Sequence, residues 1–179
     1  MRFTASPVVE LPVSGAVLTF EQDNDSFEVG TSVWPSSLVL VKFVERCIRD
    51  PALPFADVLR FPGTRAVELG SGCGPAGLGL SRLGLTDLVL TDIAAVLPAL
   101  RRNLRRNRVH LARAPRPRQL HWECPAHLGT LAPPAPLSIS VFAGKRGSYV
   151  AGVRCPHPHS RPIGWRLAQT PNWSSLVCF

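Results

Sequence analysis

Long apolar runs are missing from this chain of 179 residues. The longest candidate, residues 38–44, is short and holds Lys42, so no stretch approaches the roughly 20 apolar residues of a membrane-spanning helix. No secretory leader is expected either: Arg2 is followed by no continuous apolar segment, and Glu10 interrupts the stretch. Cysteine forms no framework. Cys47, Cys73, Cys124, Cys155 and Cys178 are odd in number and irregularly spaced, which argues against a disulfide scaffold and fits a reducing compartment. Cys124-x-x-His127 and Cys155-x-His157-x-His159 offer zinc-ligand types, but the gap between them is long and proline-rich, and no metal site is expected.

Lysine is almost absent. Of 20 basic residues only Lys42 and Lys145 are lysine, a bias that suggests an arginine-rich coding background more than a phosphate-binding surface. The formal charge of +8 and the run Arg101, Arg102, Arg105, Arg106 and Arg108 invite a nucleic-acid reading. On a helix over residues 96–108, however, these arginines form a solvated face and a C-terminal turn, where cations suit the macrodipole. A nucleic-acid partner is therefore not expected. Acids are scarce in the second half: beyond Asp92 the sole carboxylate is Glu123.

What is present is a length and a hydrophobic content of 45% sufficient for one sizeable core, hence one domain. Arg65-Ala-Val-Glu68-Leu-Gly70-Ser-Gly72-Cys-Gly74 is an apolar strand running into a glycine-rich turn, and Leu88-Val-Leu-Thr-Asp92 is a second strand ending in a carboxylate. That is the ground plan of a nucleoside-cofactor site: alternate glycines let a ligand lie against the main chain, and Asp92 can accept both hydroxyls of a ribose. Gly72-Cys-Gly74-Pro-Ala-Gly77 also satisfies the dinucleotide pattern, so two cofactors compete. Glu68 separates them. A carboxylate there repels a pyrophosphate and suits the cationic ammonium and sulfonium of S-adenosylmethionine. Pro75 fits the first position of the following helix. Cys73 reads as a small tolerated side chain rather than a nucleophile, with no histidine nearby in sequence.

Along the chain, residues 7–11 and 16–20 read as two strands joined around Ser14-Gly15. An acidic loop follows, and Trp34-Pro35 opens a helix to about Arg49, stopped by Asp50-Pro51, with Leu38, Val41, Val44 and Ile48 at core spacing. Residues 65–69, 75–83 and 88–92 read as strand, helix and strand. A helix striped by Val96, Leu100 and Leu104 comes next, then a third short strand over residues 119–122. This alternation predicts a parallel sheet with right-handed crossovers and a ligand at the carboxyl ends of its strands.

With Trp34, the loop from Glu68 to Gly74, Asp92 and Leu120-His-Trp122 in order, the chain resembles the seven-β-strand (class I) S-adenosylmethionine-dependent protein-lysine methyltransferase family. The segments that carry the likeness are VWPSS, ELGSGCGPAGLGL, LTDI, LPALRRNLRRN and the tryptophan-ending strand, over roughly residues 8–123. The resemblance implies an α/β Rossmann-like fold with an N-terminal β-hairpin and S-adenosyl-L-methionine as cofactor. It places Trp34 beside that cofactor, and the backbone of Gly70, Gly72 and Gly74 with Glu68 around its methionine part. Asp92 would lie on the ribose and Trp122 beside the adenine. It further implies a protein substrate. With no membrane span and no leader in the sequence, no membrane partner is expected, and a monomer in the cytoplasm, with the nucleus as a second location, is the expectation.

The likeness stops near Glu123. In the family an Asp-x-x-Tyr type segment follows the fourth strand beside the target lysine, and here Tyr149, the sole tyrosine, has no aspartate before it. Ala132-Pro-Pro-Ala-Pro136 and Cys155-Pro-His-Pro-His159 follow, with 137–142 as a candidate strand. The expected organisation is residues 1–123 as hairpin plus cofactor-binding half, with the parallel sheet incomplete after its third strand. Residues 124–179 are expected to be an alternative or frame-shifted, poorly packing tail. Catalytic residues are not identifiable. Three functions remain open: a methyltransferase of protein lysine, active or inactive in this form; a non-catalytic cofactor-binding or interaction protein; and a Rossmann oxidoreductase.

Overall fold

The computed structural model describes residues 5–26, 28–53, 56, 59, 61, 65–121, 124, 126, 127, 139–143 and 149–153. Trp122, Glu123 and most of the segment 124–179 thus lie outside the described residues, as does the question of how that segment packs.

Strict alternation of apolar and exposed residues produces the opening hairpin. Strand β1 (Val8–Val13) buries Val9, Leu11 and Val13, and β2 (Ala16–Glu21) buries Leu18 and Phe20. The register runs from Val8 opposite Glu21 to Val13 opposite Ala16. Ser14 and Gly15 both have positive φ, 48° and 74°, which a two-residue turn matched to the strand twist requires.

Helix α1 (Pro35–Arg49) starts at a proline that needs no intrahelical partner, and the Ser37 N–H and hydroxyl both donate to the Trp34 carbonyl. Val41 and Val44 are buried as their spacing predicts. Ile48 is not: it is 42% exposed in the last turn, and Cys47 is buried instead. Glu45 shares the buried stripe because it is an anchor. Its Oε1 accepts the Ser14 N–H at 2.7 Å, and Lys42 and Arg49 neutralise it at 2.9 and 2.7 Å. Arg82 donates to the Ser14 carbonyl from the other side, so the hairpin turn is clamped between two helices.

The alternating unit then runs β3 (Arg65–Leu69), α2 (Pro75–Arg82), β4 (Asp87–Asp92), α3 (Leu97–Arg106) and β5 (Arg116–Gln119). Its strands pair in parallel in the order β5-β4-β3, with Leu90 opposite both Glu68 and Pro117. The third strand lies earlier than the 119–122 segment expected from sequence. Arg116-Pro-Arg-Gln has no apolar alternation because it is the edge of the sheet, exposed along most of its length. Beyond it, β6 (Ile139–Ala143) joins the far side of β3 in parallel and β7 (Tyr149–Val153) pairs antiparallel to β6. The sheet thus gains one parallel strand past its third and then an antiparallel one.

All three helices contribute to one core. Val41 and Val44 from α1, Leu78 and Leu80 from α2, and Leu97 and Leu100 from α3 pack with Leu88 and Leu90 of the sheet and with the hairpin's Leu18 and Phe20. Val67, Leu69 and Leu120, with Val89, form a separate and much smaller cluster. Among the described residues no helix is long and apolar enough to cross a membrane.

One joint has no apolar signature. Asn103 on α3 and Asn107 just past its end, one turn apart and both buried, line the open edge of β2 as a partner strand would. Asn103 accepts from the Glu21 N–H and donates to the Glu21 carbonyl, each at 2.9 Å. Asn107 does the same for Thr19 at 2.8 and 2.9 Å. Asn103 Nδ2 also donates to the Cys73 carbonyl at 2.9 Å, which ties the hairpin to the glycine loop. Beside them Arg102 and Arg106 pair with Glu21, so part of the arginine run is an internal clamp; Arg101, Arg105 and Arg108 are exposed.

Candidate functional site

The carboxyl ends of β3 and β4 bring Glu68, the glycine loop and Asp92 together. The loop is held by a reciprocal pair: the Ser71 N–H donates to the Thr91 carbonyl at 2.9 Å, and the Thr91 N–H donates to Ser71 Oγ at 3.0 Å. The Thr91 hydroxyl closes the arrangement on the Glu68 carbonyl at 2.6 Å. Gly70 and Gly72 then take left-handed backbone, at φ 68° and 57°, and both are partly exposed while Ser71 and Cys73 between and after them are buried. Their α-carbons are the part of the loop a ligand can reach. Gly74, also left-handed, does a different job: a Cβ there would lie 2.7 Å from Leu100 Cδ1, so its glycine serves the packing of α3 on the loop.

Asp92, half-buried, accepts from the Gly72 N–H at 2.7 Å through Oδ2 and from the Ile93 N–H at 2.8 Å through Oδ1. A carboxylate has about four acceptor positions, so two remain for the hydroxyls of a ligand. Burial pushes its pKa above the ordinary carboxylate value; the bonds from Gly72 and Ile93 oppose that shift, and Glu28 adds to it.

Glu68 lies deeper than its sequence position suggests. It is 1% exposed, and its Oε2 is buried with no hydrogen-bond partner. Burial, and then the charge of Asp92, push its pKa up to about 8, against hydrogen bonds from the Gly77 N–H and Ser71. Gly77 makes room for it: a Cβ at that position would run into Glu68 Oε2 and Leu90 Cδ2. The third glycine of the dinucleotide-like pattern is thus explained by helix-on-sheet packing. Cys73 is fully buried, and burial pushes its thiol up to about 12, which leaves it inert at neutral pH.

Trp34 is linked to the loop only through an intervening turn. It is 38% exposed at the start of α1, and its Nε1 donates to the Val29 carbonyl at 3.2 Å. Val29 opens a short 3-10 turn, Val29–Thr31, whose Gly30 backbone abuts the loop: a Cβ on Gly72 would meet Gly30 O at 2.9 Å. Gly30 is itself fitted closely to Val96, which a Cβ would approach to 2.9 Å. Sequence reasoning passed over Gly30, which looks like an ordinary loop residue, and only the contact explains it. Trp122 lies outside the described residues. The strand end before it is anchored, with the Leu120 N–H donating to the Asp92 carbonyl at 2.8 Å.

The loop pattern allows two cofactors, and these residues do not suit them equally. Glu68 and Asp92 crowd two acids around the loop, and no cation among the described residues hydrogen-bonds to either, which disfavours a pyrophosphate. An orphaned buried carboxyl oxygen, partly exposed glycines and an aspartate with spare acceptor sites fit a cationic nucleoside. Sheet and loop together give a Rossmann-like α/β fold, with the two acids at the strand ends where such folds place a ligand. The chain belongs to the lysine methyltransferase family, whose pattern matches residues 13–131, well over half of its length. Comparison with curated proteins finds no match. The family implies S-adenosylmethionine as methyl donor.

Proposed function

We propose that this chain binds S-adenosylmethionine at the carboxyl ends of β3 and β4 and is a methyltransferase acting on lysine of a protein substrate. The observation that carries the reading is the pairing of the partly exposed Gly70 and Gly72 with Asp92, above a buried Glu68 of which one carboxyl oxygen lacks a partner. In this reading the amides of the loop hold the methionine part, Asp92 takes the ribose hydroxyls, and Trp34 packs beside the cofactor. Trp122 borders the adenine. When bound, the donor supplies a sulfonium, so its methyl already carries a good leaving group. The protein's part is alignment and exclusion of water, and a lysine acceptor with an ordinary pKa of about 10.4 must be deprotonated.

A second reading is a non-catalytic cofactor-binding or interaction protein, and one observation favours it: after Asp92 the sequence offers a single carboxylate, Glu123, to serve as that base. Calorimetric titration tests the cofactor. Binding of S-adenosylmethionine without binding of NAD is expected, and binding of NAD alone sinks the proposal. Transfer of a labelled methyl group to lysine in cell lysate is the expected activity; retained binding with no transfer favours the non-catalytic form.

A further inference from the structure

Among the described residues Glu68 Oε2 is the one carboxyl oxygen that is buried with no hydrogen-bond partner; Arg82 Nε and Arg102 Nε are the other such buried side-chain atoms. The Glu68 carboxyl extends from β3 under α2 and is excluded from water. The charged and titratable groups that face it offer no relief. Asp92 on β4 raises its pKa, the Cys73 thiol in the loop is neutral, and β6 opposite it contains only Ile139-Ser-Val-Phe-Ala143. Among the described residues no arginine is a cause of its ionisation: Arg102 forms an ion pair with Glu21, and Arg82, at the far end of α2, donates to the Ser14 and His110 carbonyls. An acid in such a place is cheapest as the neutral carboxylic acid.

Resting on the cofactor site proposed above, we propose that Glu68 reads the positive charge of the bound cofactor, giving up its proton to solvent as a cationic ligand settles on the Gly70–Gly72 backbone. The carboxylate then acts on the ligand from beneath the loop, as a positioning residue and not a catalytic one. In the free protein its pKa of about 8 keeps it mostly protonated at neutral pH, so binding and proton release are coupled. Gly77 has a role in this: any side chain there would displace the carboxyl from the one spot where it is both buried and uncompensated. The charge can come from the sulfonium or from the α-ammonium, and comparison of S-adenosylmethionine with S-adenosylhomocysteine, which lacks the sulfonium, distinguishes the two.

Calorimetry of the full chain at pH 7, in two buffers of different ionisation enthalpy, counts the protons released, for wild type and for Glu68→Gln. The ligand's own α-amino group, with an ordinary pKa of about 7.7–8.0, titrates in the same range, so the difference between the two proteins is the informative quantity. Wild type should release close to one proton more than the variant. Its relative affinity should rise roughly tenfold per pH unit below about pH 8 and level off above it. Extra release with S-adenosylmethionine alone assigns the charge to the sulfonium, and equal release with both ligands assigns it to the ammonium. Equal release by wild type and variant overturns the inference and leaves the cofactor site standing; absence of all binding overturns both. If the variant does not fold, the carboxyl carbon resonance of Glu68 in wild type answers instead: its pKa should fall when ligand saturates the protein, and an unchanged value overturns the inference.

Discussion

Replacement of Asn103 by alanine should loosen the hairpin and the glycine loop together. The side chain is fully buried and makes three hydrogen bonds of 2.9 Å, to the Glu21 N–H, the Glu21 carbonyl and the Cys73 carbonyl. Leaving a buried polar group unmatched costs about 1–3 kcal/mol. The Glu21 groups belong to a half-buried residue at the end of β2, where water can replace the lost partner, and so contribute at the low end of that range. The Cys73 carbonyl belongs to a buried residue and has no such recourse. Together with the small cavity, we expect a loss of about 3 kcal/mol. Asn103→Asp keeps the shape but sets an acceptor against two carbonyl oxygens. It should cost at least as much at pH 7 and recover partly as the pH falls, because a protonated acid regains one donor. Urea unfolding followed by tryptophan fluorescence and circular dichroism measures both variants, with unchanged denaturant dependence expected. If the proposed cofactor site is right, affinity for S-adenosylmethionine should fall several-fold in each. Losses below about 1 kcal/mol for both variants would refute the view that this amide closes the edge of β2.

Other consequences follow from the same contacts. Gly77→Ala forces its methyl group into Glu68 and Leu90, and should destabilise the protein by about 1–3 kcal/mol while shifting the apparent pH dependence of ligand binding. Glu68 has a folded pKa of about 8 against an ordinary 4.5, so the native state holds a proton that the unfolded chain has lost. Stability should therefore fall as the pH rises from about 4.5 to about 8, and Glu68→Gln should remove that slope in denaturation curves. Glu45 has the opposite sign. Although burial opposes it, Lys42, the Ser14 N–H and Arg49 hold its pKa below 4.5, so its contribution is present above that value and lost as the pH falls through the lowered one. Melting temperatures of wild type and Glu45→Gln should converge in acid; a constant gap between pH 7 and pH 3 would contradict this.

Much of the fold could be read from residue order because local rules and tertiary packing agree there. The hairpin follows from alternation around Ser14-Gly15, α1 from Pro35 and Asp50-Pro51, and the β3-loop-α2-β4 unit from an apolar strand ending in glycines. Strand β5 was displaced in the reading because Arg116-Pro-Arg-Gln has no buried face to announce it; only pairing with β4 makes it a strand. On α3 the stripe read as Val96, Leu100 and Leu104 faces the core, with Val96 and Leu100 buried and Leu104 partly so, and Leu97 and Asn103 are buried beside it. The available signal was two asparagines four residues apart on a core-facing helix side. Polar residues at such positions mark buried hydrogen bonds, but their partners on β2 are more than 80 residues away in sequence and invisible to any local pattern.

The sequence by itself determined the class of site: glycines at alternate positions between two strand ends, each with a carboxylate, restrict the ligand whatever surrounds them. Family membership follows from the same residues. What only the tertiary structure decided is how those residues divide the work. Gly70 and Gly72 stay open while Gly74 and Gly77 are absorbed by packing, and Gly30, unremarkable in sequence, closes on the loop. Asp92 spends half of its acceptor capacity on the backbone amides of Gly72 in the loop and of its own neighbour Ile93. Glu68, an anion by its residue type, becomes a buried acid whose pKa is pushed up to about 8. The physical reason is that burial and neighbouring charges set a carboxyl's ionisation, and both depend on chain segments far from it in sequence.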